Sequence, residues 1–429
     1  MCVYWRRCVG VVIFNLAVSV TMASSDDPLT VAEAQRLAVQ QSEKLAVSKY
    51  ERNAAEELRP AADQLPDPVL RMGFDNVPVD GADRFTLNND FMTMSRVGVM
   101  QEFTRGDKRR LRAERADLSI AMAEAQHEMT LATVQRETAL RWFAGYYSQR
   151  QLDLINEQLN NAQAAAVAAN AAYAQGKSGS ADALAAHATV VQVQDQADEA
   201  AYRLRAARIA LSRWIGDAAN RPWHAPPNID VLPLHAHHDA AQLESQLREH
   251  PDIVMLDRRL DVAQADAQLA RADRKSDWSV ELSYARRGPM YADMLSLGVS
   301  VPLQFNRDHR QNRELASKLA LASAAKAERD DMYRAHLAEV RTMLDEWNTT
   351  RVRHTRYQQE LLPLAQDRVV AAEAAYRGGK QNLESVIAAQ SNRIDMARQT
   401  LRLESEIARL WAELSFLTVA KDTAAGVEP

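Results

Sequence analysis

The residues best suited to chemistry are five histidines, His224, His235, His237, His238 and His250, gathered in and beside one proline-rich segment. Imidazole nitrogen binds zinc, copper and nickel, so such a cluster could hold a metal ion. No helical or finger-like ligand spacing accompanies His235, His237 and His238, and the segment reads as a solvated linker rather than a metal centre. Met92, Met94, Met290 and Met294 could offer sulfur to a soft cation, although methionine more often fills packing gaps. The sequence holds no glycine-rich phosphate loop, no His-Glu-x-x-His and no Gly-x-Ser-x-Gly. Carboxylates are distributed along the chain among arginines, the pattern of solvated helix faces. The expectation is a protein that is not an enzyme and has no cofactor, whose function lies in its shape.

That shape begins with two-residue alternation. Trp278, Val280, Leu282 and Tyr284, then Leu295, Leu297, Val299, Val301 and Leu303, alternate with small or polar residues across 278–305. Leu70, Met72 and Phe74, then Val97, Val99, Gln101 and Phe103, repeat the device across 69–103. Such segments suit tilted strands with one face against lipid and the other against water. Four strands cannot close a barrel, and an open edge in hydrocarbon leaves backbone groups unpaired at several kcal/mol each. A membrane barrel made of these strands must therefore be shared between subunits.

Around the strands the sequence is helical. Gly and Pro number 14 each, aromatics are 6%, and the 47% hydrophobic content is rich in alanine, which suits narrow helix seams. Gly106 to Tyr173 contains no proline and one interior glycine, Gly145; Asn306 to Tyr376 contains only Pro363, where a kink or break is expected. Each stretch would make a rod of roughly 100 Å. Leu140, Tyr147 and Leu154, and Ile387, Ile394 and Leu401, recur at seven-residue spacing. Trp142, Trp214, Trp347 and Trp411 read as packing residues.

The two halves are duplicates. Tyr173, Gly176 and Lys177 recur 203 residues later as Tyr376, Gly379 and Lys380, as Leu211-Ser212 does at Leu414-Ser415. Met94, Gly98 and Val99 recur 200 residues later as Met294, Gly298 and Val299. The expected organisation is a signal peptide over 1–23, a first repeat over 24–220, a linker over 221–238, a second repeat over 239–420 and a disordered tail over 421–429. Arg6 and Arg7, the apolar run Val11 to Val20 and Thr21-Met22-Ala23 carry the export reading. Cys2 and Cys8 fall in that segment, so the mature chain would have no cysteine, and loss of the two arginines takes the formal charge from -5 to -7. A mildly acidic, evenly spread charge gives no nucleic-acid footprint.

The duplicated plan, the turns Tyr173-x-x-Gly-Lys and Tyr376-x-Gly-Gly-Lys, and Gly98-Val99-Met100-Gln101-Glu102-Phe103 before a basic helix start resemble the TolC-like outer-membrane efflux proteins. Leu65-Pro66-Asp67-Pro68, Asp75-Asn76-Val77-Pro78 and Phe91-Met92-Thr93-Met94 resemble the outer-membrane subunits of cobalt-zinc-cadmium and copper-silver exporters. The resemblance implies a homotrimer in a Gram-negative outer membrane, mainly α with a membrane β portion. Its twelve-stranded barrel would be shared and continued by a helical tunnel through the periplasm. It implies a periplasmic adaptor (membrane fusion) protein and an inner-membrane resistance-nodulation-division pump as partners, besides outer-membrane lipid. It also implies a pore gate near the tip turns Gly176-Lys177 and Gly379-Lys380. Asp182 matches the family's first pore aspartate and Tyr376 its tyrosine, whereas Gln381, Ser385 and Ala388 replace an arginine and two aspartates. A periplasmic adaptor and a secreted coiled-coil protein are the alternatives; the near-even duplication argues against the first, and the alternating strands against the second.

Overall fold

The computed structural model describes residues 27–176, 178–232 and 240–417. The expected signal peptide, Lys177, the histidines His235, His237 and His238, and the 421–429 tail lie outside the described residues. Both halves show the duplicated plan. The first runs α1 (Val31–Gln41), α2 (Glu43–Ala62), β1 (Val69–Asp75), β2 (Met94–Phe103), α3 (Gly106–Ala174) and α4 (Ser180–Ile215). The second runs α5 (Ala240–Arg248), α6 (Pro251–Ala272), β3 (Trp278–Arg286), β4 (Met294–Ser300), α7 (Gln311–Arg356), α8 (Leu362–Arg377) and α9 (Leu383–Leu417).

The 69 residues of α3 form one unbroken helix, about 100 Å long at 1.5 Å per residue. Its counterpart is interrupted where Pro363 removes a backbone donor. Residues Tyr357–Leu361 take a wide π turn closed by Leu362 N–H to the Tyr357 carbonyl, and α8 restarts with Pro363 in its first turn. The interruption is thus a one-turn adjustment within a continuous rod. Two boundaries differ from the sequence reading. Pairing in β4 stops at Ser300, so Val301 and Leu303 continue the alternation without a strand partner, and the helix begins at Gln311 after turns over 305–310 rather than at Asn306.

The elements make a wall one layer thick. The sheet is antiparallel in the order β1-β2-β3-β4. Nearer the sheet, the helices neighbour one another in the order α2-α3-α6-α7; nearer the tip the order is α4-α3-α9-α8. Among the described residues no comparable contact joins α2 to α7 or α4 to α8, so the wall is open at both edges along its length. Those edges carry exposed apolar side chains, Leu184, Val191, Tyr202 and Ile209 on α4 and Leu364 and Val370 on α8.

A hydrophobic belt sits halfway along α3. Trp142, Phe143 and Tyr147 pack there with Leu211 and Ile215 of α4, Val340 and Trp347 of α7, and Ile407, Leu410 and Leu414 of α9. Leu211 and Leu414, equivalent in the duplication, are both fully buried. The part of the linker that is described is largely exposed but anchored at a few points. Ile229 and Leu232 are buried in this belt, Trp223 packs against it and bridges Leu29, and Arg221 holds Glu33 through hydrogen bonds of 2.8 and 3.3 Å. Trp142 Nε1 donates to the Leu29 carbonyl at 3.0 Å, which ties the start of the described chain to the middle of α3. Prolines kept this segment from reading as an element, but its apolar residues supply core.

Two long-range contacts explain residues that looked ordinary. A Cβ on Gly145 would lie 2.4 Å from the Trp223 ring, so the glycine makes room for the indole. Lys108, in the basic helix start that follows β2, is buried, 2.7 Å from Asp277 and 3.4 Å from Asp273. Asp277 also accepts from the Arg105 backbone N–H at 2.9 Å, so this carboxylate joins the start of β3 to the start of α3.

Gly145→Ala should lower the melting temperature even though alanine favours a helix by about 1 kcal/mol, and Trp223→Leu in the same chain should recover part of the loss. Thermal unfolding followed by circular dichroism checks both. Asp266 of α6 is a separate test. Burial raises its pKa, but hydrogen bonds and charge from Arg115 and Lys318 outweigh this and hold the carboxyl below its ordinary 3.8. A lowered carboxyl pKa stabilises the fold above 3.8, and the stabilisation fades as pH falls through the folded value. Asp266→Asn should therefore be less stable than the parent at neutral pH, with the difference closing in acid below 3.8.

Candidate channel wall and tip groove

Strand register decides which side chains share a face. Leu70 pairs with Val99, Val99 with Leu282, and Leu282 with Leu297; one step along, Met72, Val97, Tyr284 and Leu295 make a second row. Val280 and Val299, and Phe103 and Trp278, extend the same face. Directly paired residues point the same way, so one side of the sheet is apolar across all four strands except for Gln101, beside Val280 near the helix end. The other side carries Arg71, Gly98, Ser283 and Ser296 in one row, with Glu281, Ser279 and Ser300 nearby. On this polar side Arg71 pairs with Glu281 at 2.9 Å and Arg96 with Asp75 at 2.5 Å.

The apolar face is exposed: Leu295 and Leu297 keep 73% of their surface and Met72 74%. An isolated water-soluble sheet would cover such a face, whereas lipid covers it in an outer-membrane barrel. Aromatic residues mark its margins. Phe103 and Trp278 stack at 4.6 Å at the helix-proximal end, and Tyr284 and Phe74 stand toward the far end. The stretch from Trp278 to Tyr284 covers about 20 Å of extended chain, close to the height of a barrel's apolar band. Gly98 permits the tight β2–β3 approach, since a Cβ there would lie 2.7 Å from Ser283 Cβ. Its repeat equivalent Gly298, on edge strand β4, has open space around it.

At the opposite end the two repeats turn identically. Gly176 and Gly379 take φ of +71° and +69°, and their N–H groups donate to Tyr173 and Tyr376 carbonyls at 2.9 and 3.0 Å. These are left-handed positions that glycine occupies without strain. Lys380 follows the second turn, with its N–H bonded to the Ala375 carbonyl. Between the hairpins lies a groove of about 560 Å³, floored by Ala162, Ala165 and Ala169 of α3. Asp182 and Tyr376, two of the three expected gate positions Asp182, Tyr376 and Gln381, line it, along with Asn382 and Glu384.

Asp182 also has a local task. Its carboxylate accepts from Gly179 N–H at 3.1 Å in the first turn of α4, where negative charge suits the helix dipole. Gln381 is exposed just before α9, where Asn382 rather than Gln381 makes the cap, accepting from Ser385 N–H at 3.1 Å. The structure brings Asp182 and Tyr376 to one groove and leaves Gln381 outside its lining. Among the other singled-out residues, His224 is exposed, Met92, Met290 and Met294 are exposed around the strand loops, and His250 is buried. The groove's neutral members, Asn382 and Gln390, carried no sequence signal beyond polarity.

Arginine placed on each side of the sheet should separate the two faces. Leu297→Arg should cost about 2 to 4 kcal/mol at mid-membrane depth and sharply reduce the membrane-inserted fraction, whereas Ser296→Arg on the polar side should insert normally. Envelope fractionation with heat-modifiable gel mobility gives the comparison.

No family model matches the chain. The cobalt-zinc-cadmium resistance protein CzcC of Cupriavidus metallidurans is 25% identical over 369 residues, covering 85% of this chain and 83% of that protein. Among solved structures, a membrane protein from Pseudomonas aeruginosa aligns with a TM-score of 0.77 at 16% identity, covering 91% of this chain and 92% of that one. CusC gives the same TM-score, identity and coverage. The open MtrE outer membrane channel of Neisseria gonorrhoeae aligns at 0.71 and 14% identity over 97% of each chain. With the register, the open wall and the twin tip turns already fixed by its own residues, the chain has the fold of the TolC-like outer-membrane channels.

Proposed function

We propose that this chain is the channel subunit of a tripartite efflux system, carrying heavy-metal cations from an inner-membrane pump and periplasmic adaptor across the outer membrane. The observation that carries the reading is the open wall. Among the described residues, sheet and helices end in unpaired edges at every level, and nothing covers the sheet's apolar face. Three copies related by a three-fold axis would set β1 beside β4, α2 beside α7 and α4 beside α8 of the neighbour. Closed cyclic symmetry satisfies all three edges at once. The barrel lumen then receives the Arg71, Glu281 and serine side, and lipid the Leu and Val side.

Heavy-metal cargo is supported by the name of the relative CzcC and by the acidic groove at the tip. Three copies of Asp182, brought together by the three-fold axis, form a ring of negative charge that attracts cations, and a cation bridging the ring holds the constriction shut. Tyr376 stands in the same groove, and Gln381 replaces the family's charged partner with a neutral one, which weakens any ionic lock on this side. The adaptor and pump would meet the tip around Gly176-Lys177 and Gly379-Lys380. In this reading the protein performs no bond-making chemistry; it supplies a conduit.

Asp182→Ala should raise the conductance of the isolated channel in planar bilayers and reduce its block by divalent cations, each several-fold. Unchanged conductance together with unchanged block would remove Asp182 from the gate. Asp182→Asn should lose the cation block while retaining the cap to Gly179, which separates charge from helix stability.

A further inference from the structure

The geometry points to a resident transition-metal site formed by His250, Asp252 and His336 at the level of the hydrophobic belt. Each of these residues offers a ligand atom, and the three atoms lie within 4.8 Å of one another. His250 Nδ1 is 3.8 Å and His336 Nε2 3.7 Å from Asp252 Oδ2, and the two rings are 5.1 Å apart. Ligands around a tetrahedral zinc at about 2.0 to 2.2 Å stand roughly 3.4 Å apart. The observed separations are too long for hydrogen bonds and within a small inward shift of coordination distance.

The surroundings favour metal over a plain polar contact. His250 and His336 are 5% and 8% exposed, in a region where a polar ring ordinarily has its nitrogens satisfied. His336 Nδ1 is buried with no hydrogen-bond partner, and its Nε2 makes only the long approach to Asp252. His250 Nε2 lies 3.3 Å from the Phe416 carbonyl. Donation there places the proton on Nε2 and leaves the Nδ1 lone pair facing Asp252, the arrangement by which an outer carbonyl orients a metal-binding imidazole. That lone pair now accepts only a 3.3 Å bond from Asp252 N–H. Asp252 is partly exposed and gives the ion a route from solvent.

His250 is also an unusual residue for its place. It is the N-cap of α6, a position where Ser, Thr, Asp and Asn are preferred, and the corresponding helix of the first repeat, α2, is capped by Ser42. Two imidazoles and one carboxylate, with the remaining positions open to water, suit zinc, cobalt, nickel or copper(II) rather than magnesium or calcium. An ion held here joins the start of α6 to the middle of α7 and, through His250, to the end of α9. It would fasten the second repeat at the belt. This site is independent of the transport reading, since it requires neither a pore nor a partner.

Zinc titration of the full-length protein in detergent, with cobalt absorption as a spectroscopic readout, tests the site. One ion per chain is expected, with a raised melting temperature. His336→Gln and Asp252→Asn should each weaken binding at least about tenfold, while replacing His235, His237 and His238 together by alanine should leave one ion per chain bound. Asp252→Asn changes a partly exposed residue, so it remains informative should the histidine variant fold poorly. No stoichiometric binding, or binding that survives both substitutions and is lost with the linker histidines, would overturn the assignment.

Discussion

Backbone hydrogen bonding at the edges of a four-stranded sheet governs this molecule. Inside hydrocarbon every N–H and C=O must find a partner, and β1 and β4 each turn one row of such groups away from the sheet. The register puts leucine, valine and aromatic side chains on one face, so burial in water-filled surroundings cannot rescue those edges. Pairing with further copies satisfies both rows. The helices obey the same rule in a softer form, because the two outer helices at each level leave apolar side chains uncovered. Among the described residues a single chain therefore leaves both edges of its wall open.

The belt at mid-height is what makes each segment stiff. A wall one layer thick has little core, and most of the large buried side chains lie where α3, α4, α7, α9, α1 and the inter-repeat segment meet. Alanines such as Ala162, Ala166, Ala197 and Ala200 toward the tip, and Ala125, Ala265 and Ala272 toward the sheet, allow close helix approach with little volume to bury. Stability is thus concentrated far from both the membrane and the tip. The tip carries the smaller share of this core.

Much of this was legible in the sequence because it rested on periodicity. Alternation located all four strands, the scarcity of Pro and Gly located α3, and the 203-residue offset located Gly176 and Gly379 as equivalent turns. What escaped depends on contacts between residues far apart in the chain. Trp223 gives no sign that it fills the notch above Gly145, and Lys108 reads as a solvated cation until Asp277 arrives from the other repeat. His336 sits in a helix with nothing distinctive around it, 86 positions from His250. The tip groove was half visible: resemblance pointed to Asp182 and Tyr376, but the alanine floor and Asn382 emerge only when the hairpins are set side by side.

The wide turn over Tyr357–Leu361 alters the angular bookkeeping of the second long rod. One additional residue in a turn advances every later side chain by about 100° around the axis. A strict seven-residue pattern carried through α7 and α8 would keep presenting one stripe to one neighbour. With the phase reset at Pro363, the rod can face α6 and α9 in its upper half and α9 from a new azimuth in its lower half. The first repeat has no such reset in α3, so the two copies of one hairpin plan present different faces to their neighbours within the chain.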